Sequence, residues 1–461
     1  MRGHAYVDSV TLLQVSAEVL DLAGVEDAAL VMATELNRDL LRESGLLVGT
    51  AETAGANDLV ISVRAESEAA ARDALAYAAT LLDGRRAPEA GTSAQRPRSL
   101  RSAHRADPDA GLAVISVPGT FAAGEARLAL AEGLHVFLFS DNVGLEDEVD
   151  LKRAARERDL LVMGPDCGTS ILNGVGLGFA NVVRRGSIGV VGASGTGIQE
   201  IVSLIHGAGS GISHAIGTGS RDLHAAVGGV TTLHAIRLLA EDPGTETIVL
   251  VSKPSDASVA RSVVRALADT GKPSVACLQS VDVEVPPGVA RAGSLEDAAR
   301  LAIGGAPREK SRPVVPQREV RGLFCGGTLR EEAAAVLGAG HTLEDFGDDQ
   351  YTRGRAHPMI DPTLRNHAIV QAGHDSRVGV VLLDFILGLG GHPDPAGAAL
   401  PAIGEAMAAA RADSRDLSVV AHVVGTDLDP QGLASQEAAL RAAGVGVYPS
   451  NYAAAVAACA R

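Results

Sequence analysis

The sequence predicts an α/β protein built from several parallel-sheet domains. Short apolar runs of strand length alternate with segments of helix length, and glycine turns follow several of these runs. The chain has 461 residues, enough for about three domains. Aromatic residues make up only 3% of the composition, so the cores must be filled by Val, Leu, Ile and Ala.

Composition divides the chain into four units and two linkers. The predicted boundaries are a small N-terminal α/β domain at 1–83, a polar and basic linker at 84–109, a Rossmann-like domain at 110–184, a flavodoxin-like domain at 185–304, a linker at 305–318 and a second flavodoxin-like domain at 319–461. Strand, helix, strand spacing within the last three domains predicts right-handed βαβ units.

The net charge and the cysteine spacing argue against a nucleic-acid-binding protein and against a metal-binding protein. A net charge of -16 opposes binding to phosphate backbones, so no nucleic-acid partner is expected. The four cysteines have no metal-site spacing and indicate reduced thiols: Cys167, Cys277, Cys325 and Cys459. The apolar run 378–391 contains Asp384 and is too short to cross a bilayer, while Asp8 and Glu18 interrupt any leader peptide. We therefore expect a cytoplasmic protein without a membrane or metal role.

The clearest local motif is a glycine turn between a predicted strand and a predicted helix. An apolar run leads into Gly-Ala-Ser-Gly-Thr-Gly, which is followed by apolar residues at helical spacing. Such a turn aims free amides and a positive helix end at one point, and hydroxyls add donors. The candidate phosphate-binding residues are Gly192, Ser194, Gly195, Thr196 and Gly197. The turn lacks the Gly-Lys-Ser/Thr ending of a nucleotide P-loop, and a plain capped turn is the alternative.

A second glycine turn follows the next predicted strand. Gly217 and Gly219 precede Arg221, and Lys253 ends the strand after that. Two turns with a cation would hold a doubly charged phosphate, with Arg221 and Lys253 offsetting its charge. The alternative for Lys253 is an ordinary lysine at a strand end.

Several stretches resemble known families. Residues 164–168, 189–197 and 217–222 resemble turns of the α subunit of succinyl-CoA synthetase, in matching order, across about residues 110–305. A narrower resemblance, to the FdrA family of acyl-CoA-synthetase-like proteins, covers nearly the whole chain and is carried by 139–148, 162–170, 192–200 and 357–366. The resemblance implies a CoA-binding-type domain at 110–184 and two succinyl-CoA-synthetase-type domains at 185–304 and 319–461.

The sequence departs from the synthetase at its phosphorylated histidine. Leu278-Gln-Ser replaces the histidine turn, Lys253 stands where the synthetase has a glutamate, and no ATP-grasp segment is recognised. The FdrA resemblance implies a subunit of an oxamate carbamoyltransferase in purine and allantoin breakdown. It would interconvert oxalurate plus phosphate and oxamate plus carbamoyl phosphate, in an oligomer with other protein subunits and with no cofactor required. The alternatives are an acyl-CoA synthetase component that binds CoA and needs an ATP-grasp partner, or a non-catalytic scaffold subunit.

A long polar segment, 345–365, is the other candidate site. We expect Arg355, His357, Asp361 and Arg365, with Asn366, to contribute to the substrate cleft or to a subunit interface. His357 is placed to protonate a departing nitrogen, so Lys253, His357 and Asp361 are the candidate catalytic residues. The alternative is that Asp361 caps a helix and that the arginines are solvated.

Overall fold

The computed structural model divides the chain into two units, each described here by itself. The first unit is Met1–Gln95 with Asp348–Asp361, and the second is Arg96–Gly347 with Pro362–Arg461. The described residues are 1–3, 7, 9–20, 22–55, 58–84, 97–253, 255–279, 281–306, 318–352 and 356–460. Residues 348–361 thus belong with the N-terminal unit, although the sequence placed them in the last domain.

The first unit is a small α/β domain, as predicted. Its elements are α1 (Ser9–Leu20), β1 (Val25–Met32), α2 (Glu35–Glu43), a 3₁₀ turn (Gly49–Thr53), β2 (Leu59–Ala65) and α3 (Glu68–Gly84). The two strands pair antiparallel. Apolar residues at helical spacing, such as Val15 and Val19 of α1 and Ala74 and Ala78 of α3, pack with Leu30 of β1.

The second unit begins with a three-stranded parallel sheet of order β3-β4-β5. Its elements are α4 (Leu100–Ala106), β3 (Leu112–Ile115), α5 (Gly119–Ala131), β4 (His135–Leu138), α6 (Leu145–Arg156) and β5 (Val162–Met163). Ala122 and Ala126 of α5 pack without a gap against the strands, because small side chains let the helix approach closely. Helix α4 lies inside the predicted linker 84–109, because Ser99 and Ser102 form a capping box that starts it.

A seven-stranded sheet follows, of order β12-β11-β10-β8-β9-β6-β7. Its elements are β6 (Thr169–Leu172), β7 (Val175–Gly178), β8 (Arg185–Gly192), α7 (Gly195–Gly207), β9 (Ile212–Gly217), α8 (Val230–Glu241), β10 (Thr247–Val251), α9 (Ala257–Asp269), β11 (Ser274–Cys277), β12 (Val289–Ala292) and α10 (Leu295–Ala302). The hairpin β6-β7 joins this sheet through Ile171 and Ala215. Strands β6 and β7, which lie in the segment that the sequence assigned to the Rossmann-like domain, thus belong to the seven-stranded sheet.

The last domain contains a five-stranded parallel sheet of order β14-β13-β15-β16-β17. Its elements are β13 (Glu319–Phe324), α11 (Gly327–Leu337), β14 (Thr342–Asp345), α13 (Thr363–His374), β15 (Val378–Ile386), α14 (Pro395–Ala412), β16 (Ser418–Val424), α15 (Leu433–Ala442), β17 (Gly446–Tyr448) and α16 (Asn451–Cys459); the short helix α12 (Asp349–Thr352) lies in the segment that belongs to the first unit. The apolar run around Asp384 is the central strand β15, buried along its whole length. In the part of the chain that is described, no helix is long and apolar enough to cross a membrane.

The seven-stranded and five-stranded domains each contribute a glutamate that bonds a helix start of the other domain. Glu200 of α7 accepts a hydrogen bond from the amide of Asn451, the first residue of α16, at 3.1 Å. Glu332 of α11 accepts one from the amide of Leu295, the first residue of α10, at 2.7 Å. Each carboxylate thus satisfies a helix start of the other domain. The same kind of contact thus occurs in both directions: a glutamate of each domain accepts a hydrogen bond from the first amide of a helix in the other domain.

A buried histidine also takes part in this contact between the two domains. His422 of β16 lies 2.7 Å from Glu200, and the side-chain amide of Asn451 donates to Glu332 at 2.8 Å. Burial raises the pKa of Glu332 to about 7. Burial alone would lower the pKa of His422, but the charge of Glu200 outweighs it, and the pKa lies above its ordinary value. Both groups therefore hold protons more tightly in the folded chain than in the unfolded chain.

We expect this cluster to make stability depend on pH. Groups whose pKa rises on folding stabilise the fold below their unfolded pKa, and that contribution is lost as the pH rises through the folded value, here about 7 for Glu332. Urea unfolding at pH 5.5 and pH 8 should show a smaller loss of stability in Glu332→Gln than in the native chain. Exposed Glu405→Gln is the control. Parallel pH curves for all three chains would contradict the expectation.

Candidate functional site

The first glycine turn lies between β8 and α7, and Ser194 caps the helix, which agrees with the alternative interpretation of this turn; phosphate binding there stays a prediction. Ser194 is buried, and its hydroxyl accepts a hydrogen bond from the amide of Gly197 at 2.9 Å. Gly195 and Thr196 are half-buried and form the accessible part of the turn. The first amides of a helix have no acceptor within the helix, so this turn presents donors and a positive dipole end.

The start of α11 lies directly against the start of α7. The hydroxyls of Ser194 and Thr328 are hydrogen-bonded to each other. A Cβ atom on Gly326, the N-cap of α11, would lie 2.9 Å from Cβ of Thr196. No side chain caps α11, so its first amides are also left for other acceptors. Two positive helix ends therefore meet at one place, which we call the helix-start site (Ser194–Gly197 and Gly326–Thr328).

Two further side chains lie at the same edge of the seven-stranded sheet. Gln279 follows β11, and its side-chain amide donates to the carbonyl oxygen of Thr328 at 3.3 Å. Lys253 follows β10, the strand next to β8, and is half-buried. It bonds to none of the residues that the structure describes. Lys253 is therefore available as a cation on the sheet edge that carries the α7 turn.

The second glycine turn is occupied by packing contacts. The amide of Gly217 donates to the hydroxyl of Ser170 at 2.9 Å, and the carbonyl of Gly192 accepts from the amide of Thr218 at 2.9 Å. A Cβ on Gly217 would lie 2.3 Å from a carbonyl oxygen, and one on Gly219 would lie 2.4 Å from another. These glycines, which the sequence suggested as phosphate ligands, let β8, β9 and the 164–170 turn pack closely.

Arg221 belongs to a buried ionic cluster that the sequence did not reveal. Its guanidinium donates to Glu148 at 2.9 Å and to the carbonyl of Val143 at 2.7 Å. Lys152 lies between Glu148 and Asp222, at 2.8 and 2.7 Å. The two cations and two carboxylates join α6 to the turn after β9, so Arg221 is bonded within the protein and not free to hold a ligand. The only signal in the sequence was the four-residue spacing of Glu148 and Lys152.

The remaining predicted site residues are divided between the two units. His357 and Asp361 lie in the first unit, where the amide of Asp361 donates to the carbonyl of His357, and Arg355 lies outside the described residues. Burial lowers the pKa of His357 to about 4, so its ring is neutral near pH 7, and its role as a proton donor stays a prediction.

Arg365 and Asn366 lie in the second unit, on α13. Arg365 is buried and pairs with Asp384 at 3.2 Å, and the side-chain amide of Asn366 donates to the carbonyl of Ala398 at 2.9 Å. Both of these predicted ligands are thus engaged inside the five-stranded domain, because their polar atoms are turned towards neighbouring backbone and not towards solvent.

The fold and the site define an α/β protein of the acyl-CoA synthetase type. The CoA-binding domain pattern matches residues 183–281, the CoA-ligase pattern matches 323–461, and the pattern described as AllF, heavy metal-associated domain, matches 1–98. The uncharacterised protein YahF of Escherichia coli K12 is 41% identical over 96% of this chain and 94% of its own length. The chain therefore belongs to the FdrA family of acyl-CoA-synthetase-like proteins.

More distant relatives share parts of the chain. Subunit alpha 2 of succinate–CoA ligase [ADP-forming] from Archaeoglobus fulgidus is 27% identical over 52% of this chain and 79% of its own length. The solved structure of dinucleotide-forming acetyl-coenzyme A synthetase 1 from Ca. Korarchaeum cryptofilum, apo form, covers 76% of this chain and 82% of its own, with 16% identity and a TM-score of 0.35.

The N-terminal domain does not fit a heavy metal. All four cysteines lie beyond residue 98, so the matched region has no thiol ligand. Within the described residues, no group of three His, Cys, Asp or Glu side chains could hold a metal ion.

The CoA-binding pattern falls on the seven-stranded domain, whereas the sequence assigned CoA to residues 110–184. In the β3-β4-β5 domain, a Cβ on Gly119 would lie 2.3 Å from the carbonyl oxygen of Asp141, so the loop after β4 lies close to the start of α5. Arg127 and Arg221 are paired with Asp147 and Glu148.

The two lysines near the predicted site should respond differently to substitution. Lys152→Met should lower the free energy of unfolding by about 3–5 kcal/mol, because it removes the buried cation that Glu148 and Asp222 share. Lys253→Met is the matched control and should leave stability nearly unchanged. Urea unfolding measures both, and equal losses would show that the buried cluster is not what stabilises this contact.

Proposed function

We propose that this chain is an acyl-CoA-synthetase-like enzyme subunit that holds inorganic phosphate, or the phosphoryl group of an acyl phosphate, at the helix-start site. The observation that carries the proposal is the approach of two positive helix starts, of which that of α11 has no side-chain cap, joined by the Ser194–Thr328 hydroxyl pair. Amides at a helix start are well suited to a phosphate, and two such starts favour a doubly charged one. Lys253 would supply a full positive charge.

The chemistry that such a site supports is acyl transfer to or from phosphate. A phosphate oxygen attacks an acyl carbonyl, and the leaving group departs with the electron pair of the broken bond; the reverse step uses an acyl phosphate. The helix amides and Lys253 would hold the phosphate and neutralise its charge, which reduces the cost of bringing it to a second anion. Gln279 follows β11 at the site, so a noncovalent phosphate is favoured over a phosphorylated histidine.

Two reactions fit this chemistry. The first is a step of an acid–CoA ligase that works with an ATP-grasp partner, which agrees with relatives described as ligase subunits. The second is carbamoyl transfer between oxalurate and phosphate, giving oxamate and carbamoyl phosphate, and the glutamine at position 279 favours it because no phosphohistidine is needed. In either case we infer that the chain assembles with other protein subunits.

Phosphate binding should depend on charge at Thr196, which is half-buried at the mouth of the site. Thr196→Glu places a carboxylate between the helix starts, whereas Thr196→Gln has nearly the same shape without the charge. Calorimetric titration with inorganic phosphate should show about tenfold weaker binding for the Glu variant than for the Gln variant, equivalent to about 1.4 kcal/mol. Equal affinities, or no binding to the native chain, would refute the site.

The two reactions are separated by their products. The chain, purified with its partner subunits, is incubated with oxalurate and phosphate, and carbamoyl phosphate is measured. A parallel sample receives labelled ATP, an organic acid and CoA, and the formation of a thioester is measured. Product in one sample identifies the reaction, and failure of both in an intact complex would favour the scaffold alternative.

A further inference from the structure

We propose that Arg365 and Asp384 are positioning residues for the phosphate site: together they fix the turn that starts α11 and cancel the charge that the fixing carboxylate brings. The inference rests on the proposed function, since it assigns these residues a role in that same site. Neither residue is suggested to touch the ligand.

Asp384 holds the backbone immediately before α11. It lies on the central strand β15, and its two carboxylate oxygens accept hydrogen bonds from the amides of Cys325 and Gly326, at 2.7 and 2.9 Å. Gly326 is the N-cap of α11. The carboxylate therefore fixes the direction in which the next amides, from Gly327 onwards, are presented.

Arg365 is the counter-charge of Asp384. Its Nη1 donates to the carbonyl oxygen and to the carboxylate of Asp384, at 2.7 and 3.2 Å, and lies 2.7 Å from Sγ of Cys325. The guanidinium also stacks 5.1 Å from the ring centre of Phe385. Arg365 is only 2% exposed and Asp384 is fully buried, so water screens the pair little.

A negative charge at this place would oppose a bound phosphate. Asp384 bonds the amide of Gly326, the residue before α11. The carboxylate of Asp345 is also close, because a Cβ on Gly327 would lie 2.6 Å from its oxygen. Without Arg365, two carboxylates would cancel much of the positive potential of the helix end. With Arg365 present, Asp384 can fix the turn while the site keeps its attraction for an anion.

The pair also gives a role to a motif that otherwise has none. Arg365 and Asn366 end the stretch 357–366, which the sequence singled out for its resemblance to the FdrA family. Asn366 anchors α13 to α14 through the carbonyl of Ala398, at 2.9 Å. This anchor holds the helix that carries Arg365 against the five-stranded sheet.

The test is phosphate affinity of the full-length chain, measured by calorimetry at pH 6 and pH 8.5. Arg365→Met should bind phosphate at least about tenfold more weakly than the native chain at pH 8.5. Burial raises the pKa of Asp384, so the unpaired carboxylate should carry less negative charge at pH 6 and the loss should be smaller there. The double variant Arg365→Met with Asp384→Asn should recover part of the lost affinity, because the uncompensated charge is gone while the turn before α11 is held less firmly.

The single variant Asp384→Asn, compared with a control, distinguishes an effect on the phosphate site from a general loss of stability. It should lower the melting temperature and weaken phosphate binding, because an asparagine has one acceptor oxygen and cannot hold the amides of both Cys325 and Gly326. Arg415→Met is the control for losing a mostly buried arginine of the same domain, whose guanidinium bonds the carbonyls of Gly373 and Asp375 before β15. It should lower stability without changing affinity.

The outcomes separate the two proposals. If the native chain does not bind phosphate, the proposed function fails and this inference fails with it. If the native chain binds and Arg365→Met binds equally well at both pH values, the inference is overturned while the phosphate site stands. If Arg365→Met does not fold, the decision passes to Asp384→Asn, and binding as tight as that of the native chain in that variant overturns the inference.

Discussion

The arrangement of the second unit depends on bringing two positive helix ends together. The starts of α7 and α11 face each other through Ser194 and Thr328, and like charges at this distance repel. Buried carboxylates in the surrounding structure offset this repulsion, and each is bonded to a backbone amide close to a helix start. Asp384 serves the turn before α11, while Glu200 and Glu332 serve α16 and α10. The region is therefore held by pairing of amides with anions, and a ligand anion would complete the same pattern.

Much of the fold follows from the local sequence. The alternation of apolar runs with helix-length segments predicts parallel strands, and these form, because a strand buried on both faces is an apolar run bounded by turns. Strands β6, β7, β12 and β14 are short and contain polar or small residues, so no such run marks them. Their pairing is decided by neighbours distant in sequence, as when Ile171 of β6 meets Ala215 of β9. Propensity alone cannot supply such a contact.

The site could be predicted only in part. The turn before α7 is a local glycine motif and was found. Its partner, the turn before α11, was not, although Gly195-Thr196 and Gly327-Thr328 are each followed four residues after the threonine by a glutamate, Glu200 and Glu332. That repeat was the available signal. The arginines could not be assigned, because the sequence does not show whether a guanidinium faces solvent or, like Arg365, a buried carboxylate.

The glutamate contacts between the two domains have a consequence for how these domains unfold. Glu200 bonds residues of the five-stranded domain, while Glu332 bonds Leu295 of the seven-stranded domain as well as Asn451 of its own. Separating the two domains would therefore leave buried carboxyl oxygens without some of their partners. Other side chains cross the same interface, such as Asn181 with Asp429. We therefore expect the two domains to unfold together as one cooperative body.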